Sequence, residues 1–156
     1  MPRFRRILHP TDFSRASSRA YAIALDVARQ NRAELIVLHV IDTAIPVPTE
    51  GYVPPRMYEE IRTSALSWAH KKLDRLVARA RASGVRARGE VREGVSHDGI
   101  LAAIRTTRAD LCVMGTHGRT GLTRLFLGSV AEAVLRKAPC PLLLVRATDG
   151  ENKTKT

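Results

Sequence analysis

Acidic residues are scarce in this chain: 15 Asp and Glu stand against 26 Lys and Arg in 156 residues, leaving a net charge of +11. That surplus favours anionic partners, whether phosphorylated ligands, nucleic acid or an anionic surface, without choosing among them. Aromatic residues are scarcer still, at 4%, and no RNA- or DNA-binding module is recognisable, so nucleic acid is not the expected main partner. Two cysteines, Cys112 and Cys140, at unrelated spacing exclude a disulfide framework and a paired C-x-x-C metal site, and both read as inert packing thiols. No apolar run approaches the roughly 20 residues that span a bilayer. The opening Met1-Pro2-Arg3-Phe4-Arg5-Arg6 leads into a strand-like segment rather than a signal core. A cytoplasmic protein without a membrane partner is expected.

Against these shortages stands a hydrophobic content of 44%, enough to bury a core without disulfide or metal staples. One domain over residues 1–147 is expected, with a polar, frayed tail at 148–156. Short Ile/Leu/Val-rich runs at 4–9, 34–41, 110–114 and 141–145 suit strands buried on both faces. Residues 85–91 alternate Val85, Ala87, Gly89 and Val91 with Arg86, Arg88 and Glu90, as a strand near a sheet edge would. Between the strands lie four stretches with helical spacing: Ala20 to Ala28; Ile61, Ala65, Ala69, Leu73, Leu76 and Ala80; Ile100 to Ile104; and Val130 to Ala138. Gly84 closes the second helix, Ser96 reads as the cap of the third, and Ser129 with Glu132 as a capping box on the fourth. Strict alternation of strand and helix predicts a three-layer α/β/α sandwich with a parallel sheet and right-handed crossovers. The proline-rich connection at 42–55 is longer than most such links and reads either as a lid or partner surface or as a plain excursion.

Four glycines, Gly115, Gly118, Gly121 and Gly128, fall between the fourth apolar run and the last helix. A strand, a glycine-rich loop and a helix start, in that order, can cradle a phosphate: glycine lets backbone N–H groups approach an anion, and the helix start offers unpaired donors. The same glycines also suit tight turns, and neither a Walker A sequence nor a G-x-G-x-x-G after the first strand is present. In an open parallel sheet, ligands collect at the carboxyl ends of strands where the winding reverses. Two such ends are His9-Pro10-Thr11-Asp12-Phe13-Ser14 and Met114-Gly115, which line one crevice if the first and fourth strands are neighbours. Asp12, an acceptor only, suits a ribose hydroxyl, an adenine amino group or a divalent cation, or else the cap of the first helix. Arg75, Arg79, Arg81, Arg86 and Arg88 form either a nucleic-acid patch or a basic complement to a helix dipole.

The run Ala109 to Gly121 resembles the signature of the universal stress protein family. Gly115-x-x-Gly118, nine residues, then Gly128-Ser129 fits the G-x2-G-x9-G-[ST] pattern of its ATP-binding branch. The likeness extends from Pro10-Thr11-Asp12-Phe13-Ser14 to the ending Pro139-Cys140-Pro141-Leu142-Leu143-Leu144-Val145. It implies a five-stranded parallel sheet in the order 3-2-1-4-5, a Rossmann-like fold of the adenine nucleotide alpha hydrolase type.

The resemblance also implies a nucleotide pocket. Pro10, Thr11 and Asp12 would come from the first turn and Val40 would lie beside the adenine. Met114, Gly115, Thr116, His117 and Gly118 would come from the glycine loop, then Gly128, Ser129 and Val130 from the helix start; Arg119 and Arg124 read from the residues either as reaching the phosphates or as solvated loop arginines. The implied cofactor is ATP with Mg or Mn, and the implied partner a second copy joined through the strand at 141–146, an apolar edge that soluble proteins cover or pair. No hydrolase base stands out: His117 reads either as a hydrogen-bonding loop histidine or as an aid to water attack. His9 and His39, at strand ends, read as buried side chains rather than ligands. The expected function is a nucleotide-dependent dimeric stress-response module with slow or no hydrolysis; the other reading is an ATP-using hydrolase or transferase.

Overall fold

The computed structural model describes residues 3–43, 51–117 and 127–147. Five strands and four helices alternate: β1 Arg6–Pro10, α1 Arg15–Asn31, β2 Glu34–Ile41, α2 Pro55–Ala82, β3 Arg86–Glu93, α3 Ser96–Thr107, β4 Leu111–Gly115, α4 Ser129–Lys137 and β5 Leu142–Val145. The sheet is parallel throughout, in the order β3-β2-β1-β4-β5. Alternate residues of each strand face opposite layers, and the core divides accordingly. Ile7, Leu35, Val37, Leu111 and Val113 pack with α1 and α2. Leu8, Ile36, Leu38, Cys112 and Met114 pack with α3 and α4. The chain therefore winds outward from β1 through β2 to β3 on one face and returns through α3 to β4 on the other. The reversal falls between β1 and β4, whose pairing is Ile7 with Leu111 and Leu8 with Cys112.

Several boundaries differ from the periodicity for identifiable reasons. The first strand begins at Arg6, because the preceding donors are taken by side chains: Phe4 N–H donates to Asn31 Oδ1 at 3.2 Å and Arg5 N–H to Asp110 Oδ2 at 2.8 Å. The stripe read on α2 is buried only from Ala69 onward, and Ile61 is exposed. At 28 residues the helix is about 42 Å long, and its first turns outrun the sheet. A two-pronged ion pair ties that overhang down: Arg62 Nε and Nη2 donate to Glu93 at 2.7 and 2.8 Å. Residues 44–50 of the 42–55 connection lie outside the described residues.

The helix caps differ too. Ser14 caps α1, accepting from Ser17 N–H, so Asp12 is not the cap. Val95 takes the cap position of α3, one residue earlier than the sequence pattern implied, because Gly94 turns the chain with φ 132°, a left-handed value that favours glycine. Gly128 rather than Ser129 caps α4, so the capping box does not form. Both cysteines are free, Cys112 buried and Cys140 half-buried, and burial raises both thiols above their usual range.

His9 is fully buried on β1, its Nδ1–H donating to Val113 O at 2.9 Å and its ring 5.8 Å from that of Tyr21. Burial disfavours its charged form and pushes its pKa down from 6.5 to about 4. The unfolded chain therefore takes up this proton before the native state does. Stability is complete above pH 6.5 and is lost as pH falls to about 4, by on the order of 3 kcal/mol. In urea titrations across that window His9→Gln, which keeps a donor for Val113, should show a visibly flatter loss than the parent; parallel curves would remove His9 as the cause.

Candidate functional site

Pro10, which lacks an N–H, ends β1, and Thr11 N–H makes the last sheet-like bond to Leu38 O at 2.8 Å. The turn beyond is held by its own hydroxyls and carboxylate. Thr11 Oγ1 accepts from Phe13 N–H at 3.0 Å and from the Ser17 hydroxyl at 2.6 Å, and Asp12 Oδ1 accepts from Ser14 N–H at 2.9 Å. Phe13 sits at φ 62°, a left-handed conformation costing a non-glycine residue roughly 1 kcal/mol or more. Its ring offsets this by packing 4.7 Å from His39 and edge-on 5.2 Å from Trp68, while His39 and Trp68 are themselves 5.9 Å apart. In a chain so poor in aromatics, these rings gather on one turn. His39 Nδ1 lies 2.8 Å from Thr11 O. Since a carbonyl only accepts, Nδ1 carries the hydrogen and binds the end of β2 to the β1–α1 turn.

The end of β4 and the start of α4 are joined in the same way. Thr116 N–H donates to Val145 O at 3.0 Å and Gly128 N–H to Thr116 O at 2.8 Å, so the chain leaves the sheet after His117 and returns beside the same strand end. Thr116 is buried, its hydroxyl 3.0 Å from His117 Nδ1; His117 Nε2 is buried without a hydrogen-bond partner among the described residues. Gly115 lies against the first turn of α1. A Cβ there would stand 3.4 Å from His117 O and 3.6 Å from the Ala16 backbone, ordinary contact distances, so the strand end packs closely on the start of α1.

Gly128 is the cap residue of α4, in an extended conformation (φ −60°, ψ 153°), and contributes no side-chain acceptor. The N–H groups of Ser129, Val130 and Ala131 have no partner within the helix by its geometry. Those three residues line the crevice, so the positive end of the α4 dipole opens onto it.

The crevice encloses about 360 Å³ at the carboxyl ends of β1, β2 and β4. Pro10, Thr11, Asp12, Val40, Met114, Gly115, Thr116, His117, Gly128, Ser129 and Val130 all line it, so the sequence-derived residues are brought together. Gly118, Arg119 and Arg124 lie outside the described residues. Missed from sequence were Ser17, Leu38, His39, Asp42, Ser96, Ile100 and Ala131. Applying the strand-end rule to β2 as well as to β1 and β4 would have found Leu38, His39 and Asp42. His39 is half-buried and faces the crevice, unlike His9, which belongs to the core. Leu38, Val40, Ile100 and Met114 supply the apolar lining of the crevice, and Asp12 and Asp42 supply its carboxylates. Among the described residues no group of three His, Cys, Asp or Glu could hold a metal by itself, and no helix is long and apolar enough to cross a membrane.

The model of the "Universal stress protein family" matches residues 3–146. The chain belongs to that family. A universal stress protein of Methanocaldococcus jannaschii is 35% identical over 150 residues, covering 95% of this chain and 85% of the relative. Among solved structures, a second Methanocaldococcus jannaschii protein, described as having had its biochemical function assigned from structure, superposes with a TM-score of 0.83 at 25% identity, covering 96% of this chain and all of that one. A universal stress protein family member from Arabidopsis thaliana, solved with AMP bound, superposes with a TM-score of 0.67 at 20% identity over 96% of both chains, and shares the fold.

Gly99, in the first turn of α3, lies against Val40 of that lining. A Cβ there would lie 2.8 and 2.9 Å from the two γ-carbons of Val40, a stiff side chain with no distal end to swing away. Against the helix propensity that alanine gains, Gly99→Ala should lose about 1–2 kcal/mol by overpacking. Val40→Ala in the same chain should restore most of it. Thermal denaturation of the single and double variants checks this; a more stable Gly99→Ala protein would contradict the contact.

Proposed function

We propose that the crevice binds ATP and that the protein is a cytoplasmic, dimeric stress-response module whose shape or partner choice follows nucleotide occupancy, with slow or no hydrolysis. The observation that carries this reading is the bare amino end of α4: glycine stands where a capping side chain would sit, and the donors it leaves open line a crevice at the topological switch point. The remaining walls support a nucleotide rather than a free anion. The apolar lining of Leu38, Val40, Ile100 and Met114 suits a flat base, with Val40 beside it, and Asp12 is set to accept from ribose hydroxyls. Gly128, Ser129, Val130 and the Gly115–His117 segment are assigned to the phosphates, with Gly118 and Arg119 on the intervening loop. The G-x2-G-x9-G-[ST] spacing favours the ATP-binding branch, and the Arabidopsis protein of the same fold, solved with AMP bound, supports an adenine nucleotide.

Mg or Mn fits the site only in a restricted way. With no cluster of three ligating side chains among the described residues, the ion would be held by phosphate oxygens and water with one carboxylate, Asp12 or Asp42. The chain's own part is then to bind and orient: Thr11 and His39 fix the turn that presents Asp12, and α4 fixes the phosphate end. A dimer through residues 141–146 is supported by β5 lying at the edge of the sheet with Leu143 exposed, next to α4 on which Leu135 is exposed.

Two substitutions test these assignments. Gly128 already holds an extended conformation open to any residue, so Gly128→Asp should cap α4 and keep or raise the melting temperature. It should also repel phosphate and weaken Mg-ATP binding by at least about tenfold in calorimetry. Undiminished affinity would remove the helix terminus from the site. Light scattering should show the parent as a dimer and Leu143→Lys as a monomer; a monomeric parent would end the edge-pairing proposal. Turnover of Mg-ATP at roughly 1 per second or faster would favour the enzyme reading.

A further inference from the structure

The surplus positive charge has a place in the fold opposite the crevice. At the amino ends of β1, β2 and β3 a cavity of about 510 Å³ is lined by Arg3, Arg5, Arg6, Arg32 and Arg86, with Glu34 its one carboxylate. The strand register assembles it: Arg6 pairs with Glu34 and Glu34 with Arg86 on neighbouring strands. Glu34 is already engaged, accepting from Arg88 Nε at 3.2 Å, and the nearby Asp110 carboxylate is occupied by the Arg5 and Arg6 backbone N–H groups. The side chains of Arg5, Arg6, Arg32 and Arg86 are exposed and make no ion pair among the described residues.

Helix dipoles do not account for this group. Arg29, Arg79 and Arg105 lie in the last turns of helices, where positive charge is favoured, but Arg3, Arg5, Arg6 and Arg86 come from the starts of strands. Arg32 ends α1 at φ 54°, a conformation glycine would adopt at less cost. Guanidinium forks in this number, gathered around a concavity and short of carboxylates, repel one another and match phosphate oxygens in pairs.

We infer that this cavity is a second anion site, taking a chain of consecutive phosphates at the pole opposite the nucleotide crevice. Arg6 and Arg86 flank Glu34 with strands between them, roughly 10 Å apart, a span for several linked phosphates rather than one. A nucleic acid is the poorer match, since Phe4, half-buried, is the one ring lining the cavity and offers no platform for base stacking.

The test uses the full chain and inorganic tripolyphosphate as the probe. Calorimetry should show tripolyphosphate binding to the Gly128→Asp protein, whose crevice is expected to repel phosphate, and binding weakened about tenfold when Arg6→Gln and Arg86→Gln are added. Orthophosphate should bind far more weakly than tripolyphosphate. Arg6→Gln/Arg86→Gln alone should leave Mg-ATP affinity unchanged, which separates failure here from failure of the crevice assignment. Arg5→Gln/Arg32→Gln, on the same cavity, repeats the loss should the first pair fail to fold. No tripolyphosphate binding in the Gly128→Asp protein, or binding indifferent to both arginine pairs, overturns the inference. So does tighter, arginine-dependent binding of a single-stranded RNA oligomer, which would make the surface a nucleic-acid site.

Discussion

The pairing of β1 with β4 is the constraint on which the rest of the molecule depends. It is short, Ile7 with Leu111 and Leu8 with Cys112, yet it is where the sheet changes its direction of winding. Because helices on either side must diverge there to follow their own strands, the layer above the two carboxyl ends opens. Everything functional in the candidate site uses that opening. The Thr11–Ser14 turn enters from one side and the α4 terminus from the other. Thr116 holds the second edge through its bonds to Val145 and Gly128.

The sequence made the architecture legible because a parallel sheet buries its strands on both faces. Uninterrupted apolar runs such as Leu35 to Leu38 therefore stand out against helices with a single stripe. Most of the crevice was legible for the same reason, since its residues sit at strand ends that can be counted. What escaped was set by contacts across the fold. Local caps failed at Ser96 and Ser129 because Val95 and Gly128 take the cap positions one residue earlier than the side-chain pattern implied. The exposure of Ile61 follows from α2 being longer than the strands it packs on, which the helix's own periodicity does not record. Ser96 joined the site through the pairing of β2 with β3, which no single segment encodes.

Glycine illustrates how one residue type serves separate ends here. A Cβ at Gly115 would make only ordinary contacts, Gly99 yields space to Val40, and Gly128 leaves a helix end without a side-chain cap. From sequence, Gly115 and Gly128 read alike as loop glycines, and Gly99 carries no signal of the contact that fixes it. The charge distribution carries a similar lesson. The carboxylates Asp12 and Asp42 lie at the crevice, while arginines from the starts of β1 and β3 and the end of α1 crowd the other pole. Net charge alone placed neither.

The most direct measurement of the nucleotide assignment is an amide proton–nitrogen correlation spectrum of the protein titrated with Mg-ATP. The N–H signals of Ser129, Val130 and Ala131, with those of Thr11 and Val40, should move together and saturate at one nucleotide per chain. Movement confined to other surfaces, with the α4 amides unmoved at saturation, would contradict the central claim.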